Sequence, residues 1–276
     1  MPDQSGLPEN LHLPDILDVM QTAAEQASLA VLEVYRKDAT VEWKTDGSPV
    51  TEADHRAEEC ILAALAPLGL PVLAEESVSA GRIPQLGHTW FVVDPLDGTK
   101  EFLARNGEFT VNIGLIHDNY PVAGIIIAPD LNKAYIGSAL GAFSFEPGSN
   151  WRAGTPVTVS GDTPIRLATS RSHRNSKASK VGAALGTGSE IRIGSSLKLC
   201  LLADGQANLY PRLSPTCEWD IGAGQAILEA AGGSVLTLDG ERLSYGKAGA
   251  NFLNPWFVAA STRALAARAI GIAAAG

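Results

Sequence analysis

The order of apolar and polar residues divides the first half of the chain into two helices followed by strands. Apolar residues recur at helical spacing over residues 16–35, which predicts a long amphipathic helix. A second helix is expected over residues 52–66, because Pro67 and Gly69 follow it directly. Residues 72–77 favour a short strand that enters a loop. Further strands are predicted for the segments WFVV, FTVNIGLI, VAGIIIAP and KAYIGSALGAFSFE, the second and third forming a hairpin.

The second half of the chain alternates strands and helices. The segment 147–156, PGSNWRAGTP, is rich in turn-forming residues and is the best candidate for a boundary between two lobes. Beyond it, the strand-like segments IRLATS, EIRIG and VLTL alternate with helices expected over 197–203, over 221–231 and from Thr262 onward. This alternation favours an α/β second lobe. We therefore expect an α+β lobe over 1–150 and an α/β lobe over 151–276, forming one compact catalytic unit.

Composition supports a folded domain and excludes one class of partner. The chain has 276 residues, of which 45% are hydrophobic and only 18% charged, so a sizeable core is expected and disorder is not. The formal net charge is −9. An acidic chain is a poor ligand for a nucleic-acid polymer, which needs a basic face. A small anion remains compatible, because a few local cations or metal ions would be enough to bind it.

Cysteine usage and hydropathy indicate a cytoplasmic protein. The three cysteines, Cys60, Cys200 and Cys217, are odd in number and lack a C-x-x-C spacing, so we expect no disulfide framework and a reducing compartment. The segment MPDQSGLPEN has neither the basic nor the apolar region of a signal peptide. No apolar run approaches the ~20 residues of a membrane-spanning helix. Peripheral association with the inner membrane is left open.

The stretch VVDPLDGTKEF raises the chemical question of how two aspartates are neutralised at the end of a buried strand. Asp94 and Asp97 stand three residues apart around a turn, so both carboxylates and the Leu96 carbonyl can point to one side. Oxygen ligands of this kind suit Mg²⁺. Gly98 and Thr99 would open a short helical turn whose N–H groups face an anion. The alternative is an ordinary acidic turn that caps a helix.

Three further acidic positions carry weaker signals, each with a structural alternative. Glu75 and Glu76 follow a strand end, where they are metal ligands or a solvated pair. Asp220 directly precedes the segment IGAGQAILEAAGG and is either a metal ligand or the N-cap of that helix. The small residues of the segment allow close backbone packing. Thr51 and Asp54 match a capping box, which is the alternative to a role in chemistry.

The order SPVTEAD, EES, DPLDGT and WD followed by AGG resembles the inositol monophosphatase superfamily, over roughly residues 44–233. The resemblance implies a layered α-β-α-β-α sandwich with two intimate lobes. It also implies a Mg²⁺-dependent, lithium-sensitive phosphatase that uses a metal-activated water. No Ser-His-Asp arrangement and no Cys or His nucleophile is evident, which agrees with direct attack by water.

The same resemblance assigns roles to individual residues. It implies two Mg²⁺ ions, with a third as an alternative. The first is held by Glu75, Asp94 and the Leu96 carbonyl, and the second by Asp94, Asp97 and Asp220. Asp54 and Thr99 resemble the pair that orients the attacking water, so Asp54, Thr99 and Glu75 are the expected catalytic group. The amides of Gly98 and Thr99 would hold the phosphate, and Asp220 also borders the substrate.

Within the superfamily, three segments of the second lobe resemble the 3′(2′),5′-bisphosphate nucleotidases: SRSH, GSSLKLCLLADGQANLYPR and FLNPWFVA. That branch removes the 3′-phosphate of adenosine 3′,5′-bisphosphate, a by-product of sulfate assimilation. The second anionic group of such a substrate needs cations. The expected nucleotide pocket comprises His173, Ser195, Lys198 and Arg212, and Arg171 is a further candidate cation.

Three readings remain open. The alternative within the superfamily is an inositol-1-monophosphatase or another sugar-phosphate phosphatase, for which the basic residues would be solvated surface charges. A reading of a different class is a non-catalytic, metal-dependent interaction protein. Every expected ligand is present, from Asp54 to Asp220, which argues against that reading. A monomer or a homodimer is expected.

Overall fold

The computed structural model describes residues 7, 11–37, 41–43, 49–172 and 176–275. Within these residues the helices are α1 (Leu13–Tyr35), α2 (Glu52–Leu65), α3 (Glu75–Ser79), α4 (Thr99–Leu103), α5 (Ser176–Ala184), α6 (Leu197–Ala203), α7 (Gly222–Ala230) and α8 (Arg263–Ala275). The strands are β1 (Val41–Trp43), β2 (Pro49–Thr51), β3 (Val72–Ala74), β4 (Thr89–Asp97), β5 (Thr110–His117), β6 (Tyr120–Ala128), β7 (Lys133–Ser138), β8 (Gly141–Phe145), β9 (Thr155–Pro156), β10 (Arg166–Ser170), β11 (Ser189–Ile193), β12 (Leu209–Arg212), β13 (Ser234–Thr237) and β14 (Phe257–Ala260).

Two sheets organise the chain. The larger has the order β3-β4-β5-β6-β7-β8-β9; β3 runs parallel to β4 and every other neighbouring pair is antiparallel. The smaller has the order β11-β10-β12-β14-β13, with β10 parallel to both of its neighbours. Strands β1 and β2 form a separate antiparallel pair. Strands β5 to β8 form a meander, because short turns join them and such turns suit antiparallel neighbours.

Apolar side chains on alternating positions build three layers of core. Helices α1 and α2 cover one face of the larger sheet, where they meet residues such as Phe91, Val93 and Ile113. Helices α6 and α7 lie between the two sheets, against Val92, Ile126 and Phe257 among others. Helices α5 and α8 cover the outer face of the smaller sheet. The predicted α-β-α-β-α sandwich is therefore confirmed.

Helix α7 packs directly on a row of glycines in the larger sheet. Gly114, Gly124 and Gly137 are cross-strand partners on β5, β6 and β7. A Cβ atom on Gly114 would come within 3.0 Å of the Ala223 amide nitrogen, and one on Gly137 within 2.5 Å of the Cα of Ile227. Because these glycines have no side chain, the backbone of α7 contacts the backbone of the sheet directly. The close packing predicted for the small residues of α7 is confirmed.

Most predicted elements agree with the structure, and a few differ from it. The long first helix and the 197–203 helix are confirmed, as is the hairpin of β5 and β6. The strand predicted over 72–77 ends at Ala74, and residues 75–77 begin the helix α3, so that part of the prediction is wrong. Strands β12 and β14 and helix α5 were not predicted from the sequence.

The division into lobes at residue 151 stays a prediction. Thr155–Pro156 pairs with β8, so the larger sheet extends beyond that position. Trp151 likewise packs in the core beneath α1. All three cysteines are free thiols, as expected. Among the described residues, no helix is both long and apolar enough to cross a membrane.

Candidate active site

Two neighbouring aspartates on β4 meet a third from a distant part of the chain, between the sheets. Asp94, Asp97 and Asp220 each offer a carboxylate oxygen, and these oxygens lie within 4.8 Å of one another. Asp94 is buried, whereas the other two are partly exposed. They border a cavity of about 260 Å³ whose lining also includes Glu75, Leu96, Gly98, Thr99, Ser195, Lys198 and Arg212. The structure thus brings together most of the residues predicted for the site.

An irregularity in β4 turns Asp94 and Asp97 toward the same cavity. Asp94 pairs with Asn112 on β5 and Asp97 pairs with Thr110, with a register shift between the two pairs. The three steps from Asp94 to Asp97 on β4 therefore match only two steps on β5, as in a β-bulge. Such an irregularity changes the direction in which the side chains project. The Leu96 amide donates to Asp94 Oδ1 at 3.1 Å. The stretch is a bulged strand, so the predicted tight turn is wrong, although its consequence for the carboxylates holds.

Asp220 completes the cluster from the segment before α7. Its carboxylate accepts the Cys217 amide at 2.8 Å. The N-cap residue of α7 is Ile221, and its cap has no side-chain hydrogen bond, so the alternative that Asp220 caps the helix is wrong. Burial raises the pKa of Asp220 to about 8, and the charges of Asp97 and Glu75 act in the same direction.

This electrostatic arrangement fits a hard divalent cation. Carboxylate oxygens are the donors that Mg²⁺ prefers. A cation among the three aspartates would remove the repulsion that raises the pKa of Asp220. The donor set therefore suits Mg²⁺.

Glu75 lines the same cavity but lies outside the three-aspartate cluster. It is the first residue of α3, directly after β3. The buried carboxylate of Glu58 anchors this turn by accepting the Glu76 amide at 2.9 Å and the Ser77 hydroxyl at 2.6 Å. Sequence reasoning missed Glu58, whose only signal was an acidic residue on the apolar face of a predicted helix.

The pair Asp54 and Thr99 is in contact, and the capping box is present as well. Asp54 Oδ2 accepts the Thr51 amide at 2.7 Å and the Thr51 hydroxyl at 2.8 Å. The Thr99 hydroxyl lies 3.4 Å from Asp54 Oδ1 and 3.4 Å from the Leu96 carbonyl oxygen. The capping box thus fixes the orientation of the carboxylate that Thr99 approaches, so the two interpretations are compatible.

Gly98 links β4 to α4 in a conformation that favours glycine. Its φ is +90°, and a Cβ there would come within 3.2 Å of the Glu108 carbonyl oxygen and of the Ser195 side chain. Thr99 then opens α4, as predicted. Glycine is therefore required at this position, and both Gly98 and Thr99 line the cavity.

The predicted cations have different environments. Lys198 is buried, and its Nζ donates to the carbonyl oxygens of Ser195 and, at 3.5 Å, of Ile193. Burial lowers the pKa of Lys198 to about 8. The Nε of Arg212 is buried without a hydrogen-bond partner among the described residues, while its Nη2 donates to the Pro215 carbonyl at 2.8 Å. Both side chains border the cavity beside the aspartates.

Arg171, a further basic candidate, is not among the residues that line this cavity. Arg171 is exposed and makes a two-pronged ion pair with Glu108, at 2.6 and 2.5 Å. The interpretation of Arg171 as a substrate cation therefore lacks support. His173 lies outside the described residues. A second cavity, of about 480 Å³, shares Ser170, Tyr210 and Arg212 with the first, so the two are neighbours.

Comparisons with known proteins show the family of this chain. The sequence profile of the inositol monophosphatase family matches residues 12–274. The 3′(2′),5′-bisphosphate nucleotidase CysQ of Salmonella typhimurium is 42% identical over 88% of this chain and 98% of its own. The CysQ crystal structure from Bacteroides thetaiotaomicron, 34% identical, superposes with a TM-score of 0.76 over 91% of this chain and 98% of that one. An inositol monophosphatase of Thermotoga maritima shares the fold at 20% identity, with a TM-score of 0.75 over 95% and 97% of the two chains. The chain belongs to the inositol monophosphatase family.

Proposed function

We propose that this protein is a Mg²⁺-dependent 3′(2′),5′-bisphosphate nucleotidase that hydrolyses the 3′-phosphate of adenosine 3′,5′-bisphosphate to give AMP and phosphate. The observation that carries the proposal is one cavity lined both by the three clustered carboxylates and by two cationic side chains, the buried Lys198 and the partly exposed Arg212. An inositol monophosphate has no second phosphate to pair with those cations. The relatives of 41–42% identity named as bisphosphate nucleotidases support the same substrate class.

The acidic residues would hold the metal ions. Glu75, Asp94 and the Leu96 carbonyl are the proposed ligands of one ion, and Asp94, Asp97 and Asp220 of another; a third ion near Asp54 is an alternative. Bound Mg²⁺ would neutralise the phosphate charge and acidify a water molecule. Gly98 and Thr99 would present backbone amides to the phosphate, since no Cβ covers the chain at Gly98.

Thr99 and Asp54 would orient the attacking water. Asp54 Oδ2 already accepts two hydrogen bonds from Thr51, so Oδ1 is the oxygen that receives the Thr99 hydroxyl proton. A hydroxyl that donates to a carboxylate keeps its lone pairs for another donor. Thr99 can therefore accept a hydrogen bond from a water molecule and fix the direction of its attack, without a protein nucleophile.

The remote phosphate would be bound by Arg212 with help from Lys198. Arg212 Nε is a buried donor with no partner among the described residues, and an anion in the cavity would satisfy it. Lys198 already donates to backbone carbonyls, so its contribution is a fixed positive charge beside the cavity. Ser195 borders the same space.

A substrate panel tests the proposal against its two alternatives. Phosphate release with Mg²⁺ is measured for adenosine 3′,5′-bisphosphate and for inositol 1-phosphate under the same conditions. We expect a much higher kcat/KM for the bisphosphate. A preference for inositol 1-phosphate would establish the sugar-phosphatase alternative, and no release from any ester would favour the interaction protein. Inhibition by lithium, a cytoplasmic location and a monomeric or homodimeric state remain predictions.

A further inference from the structure

Ser196 contacts both segments that supply the metal-site aspartates. Its hydroxyl oxygen lies 2.6 Å from Asp97 Oδ2 and 2.7 Å from the Asp220 carbonyl oxygen. The side chain is buried at the start of α6 and lines the cavity. Of the two acceptors, the carboxylate is the charged one, and its distance is typical of an O–H···O⁻ hydrogen bond. The single hydroxyl proton is therefore directed mainly at Asp97.

Asn112 on β5 places a second hydrogen-bond donor near Asp97 Oδ2. Its side-chain Nδ2 donates to the Ser196 oxygen at 2.9 Å and approaches Asp97 Oδ2 at 3.4 Å. Asn112 is the cross-strand partner of Asp94, and directly opposed residues of an antiparallel pair project from the same face. A buried amide in the middle of an apolar strand is costly unless it is hydrogen-bonded. The Nδ2 group of Asn112 meets this requirement through Ser196 and Asp97, whereas its Oδ1 atom has no partner among the described residues.

We propose that Ser196 and Asn112 are positioning residues that orient Asp97 for metal binding and tie it to the segment of Asp220. The inference rests on the metal-dependent function proposed above. Engaging Oδ2 with two donors leaves Oδ1 as the oxygen presented to the ion. Because the one hydroxyl proton is directed mainly at Asp97, the Asp220 carbonyl receives the weaker branch of a shared hydrogen bond, and Ser196 thereby lies between β4 and the segment before α7.

The physical reason is the repulsion within the cluster. Asp97 and Asp220 bring carboxylate oxygens within 4.8 Å of each other, and like charges at this distance repel. Without donors on Oδ2, Asp97 would rotate away from its neighbour. Hydrogen bonds to a ligating carboxylate typically contribute ~10–100-fold to metal affinity.

The test measures binding of Mg²⁺ alone to the full chain, by calorimetric titration after the protein is stripped of metal with a chelator. Ser196→Ala should weaken binding by ~10–100-fold, while Ser196→Thr, which keeps the hydroxyl, should retain most of the affinity. The matched control is Ser28→Ala. Ser28 is a buried serine on α1 whose hydroxyl has no partner among the described residues, so its loss should leave Mg²⁺ binding unchanged.

A double variant tests whether the two residues act as a unit. Asn112→Ala should also weaken Mg²⁺ binding. The losses of affinity in Ser196→Ala/Asn112→Ala should not add, because both side chains act on Asp97 Oδ2. Unchanged affinity in Ser196→Ala, or equal weakening in Ser196→Thr, would overturn the inference. If Ser196→Ala does not fold, Asn112→Ala decides by the same measurement. Failure of the wild-type protein to bind Mg²⁺ would instead reject the proposed function.

Discussion

Gly124 of β6 lies directly against Ala223 of α7: a Cβ on Gly124 would come within 2.8 Å of the Ala223 Cα and nearer still to its carbonyl oxygen. Backbone atoms cannot move aside as a flexible side chain can. This contact sets the height of α7 above the larger sheet, and it therefore fixes how far Asp220, just before the helix, lies from Asp94 and Asp97.

Gly124→Ala should consequently damage both stability and the metal site. Overpacking of this kind costs ~1–3 kcal/mol of the free energy of unfolding, and displacement of α7 should weaken Mg²⁺ binding as well. Chemical denaturation and Mg²⁺ titration measure the two effects. The matched control is Gly87→Ala, since nothing lies within 4 Å of a Cβ there. Equal stability of the two variants would show that α7 is not held by this contact.

Asp97→Asn should nearly abolish phosphate release while leaving the fold intact. The change removes a charged ligand, so the loss should exceed the ~10–100-fold expected for an outer hydrogen-bond partner. In metal-free buffer the variant should melt at a higher temperature than the wild type, because one of three mutually repelling carboxylates is neutral. Turnover close to that of the wild type at saturating Mg²⁺ would contradict the assignment of two metal ions.

Thr99→Ala should lower kcat far more than it raises KM. The hydroxyl that connects Asp54 to the water would be missing, and such a group contributes on the order of 10²-fold or more to a rate. Thr99→Ser keeps the hydroxyl and should retain most of kcat. An effect on KM alone would mean that Thr99 only contacts the phosphate.

The stereochemistry at phosphorus provides an independent check of direct attack by water. A substrate made chiral at its phosphorus should react with inversion. Retention would require a covalent phosphoenzyme and would contradict direct attack by water.

Lys198→Ala should distinguish substrates by their second phosphate. A hydrogen bond or contact to a charged group is worth roughly 1.5–3 kcal/mol, so kcat/KM for adenosine 3′,5′-bisphosphate should fall about ten- to a hundredfold. The same variant should barely affect adenosine 2′-monophosphate or inositol 1-phosphate. Arg268→Ala, which removes an exposed cation on α8, is the control and should change neither. Equal losses on all substrates would indicate a folding defect and remove Lys198 from the pocket.

The metal-free protein should lose stability as the pH rises toward about 8. The pKa of Asp220 is raised to about 8 in the folded chain, whereas its ordinary value is 3.8. The folded state therefore binds this proton more tightly than the unfolded state, and the resulting stabilisation is full below the ordinary pKa and is lost progressively until the pH reaches the folded pKa. Melting temperatures in a chelator should decline between about pH 5 and about pH 8 and level off above that range, and Asp220→Asn should reduce the decline. Equal slopes in both proteins would contradict it. Mg²⁺ binding should tighten over the same range, because the competing proton leaves.

Local patterns in the sequence were sufficient for much of the fold and for two of the proposed metal ligands, Asp94 and Asp97. The periodicity of α1 and the alternation in β5 and β6 are short-range properties that an isolated segment already carries. The motif around Asp94 and Asp97 likewise supplies two carboxylates, a carbonyl and a glycine turn within a few residues. Family resemblance added Glu75 and Asp220, which no local pattern distinguishes from solvated or capping residues.

Contacts between distant segments were decided only by the tertiary structure. The sequence does not show that Arg171 is neutralised by Glu108, that Glu58 anchors the turn of Glu75, or that Ser196 and Asn112 meet at Asp97. Each of these depends on how helices and strands far apart in the chain are placed against one another. That placement is set by packing, above all by the row of glycines that receives α7, because a hydrogen bond or ion pair forms only when the core brings its two groups within about 3 Å.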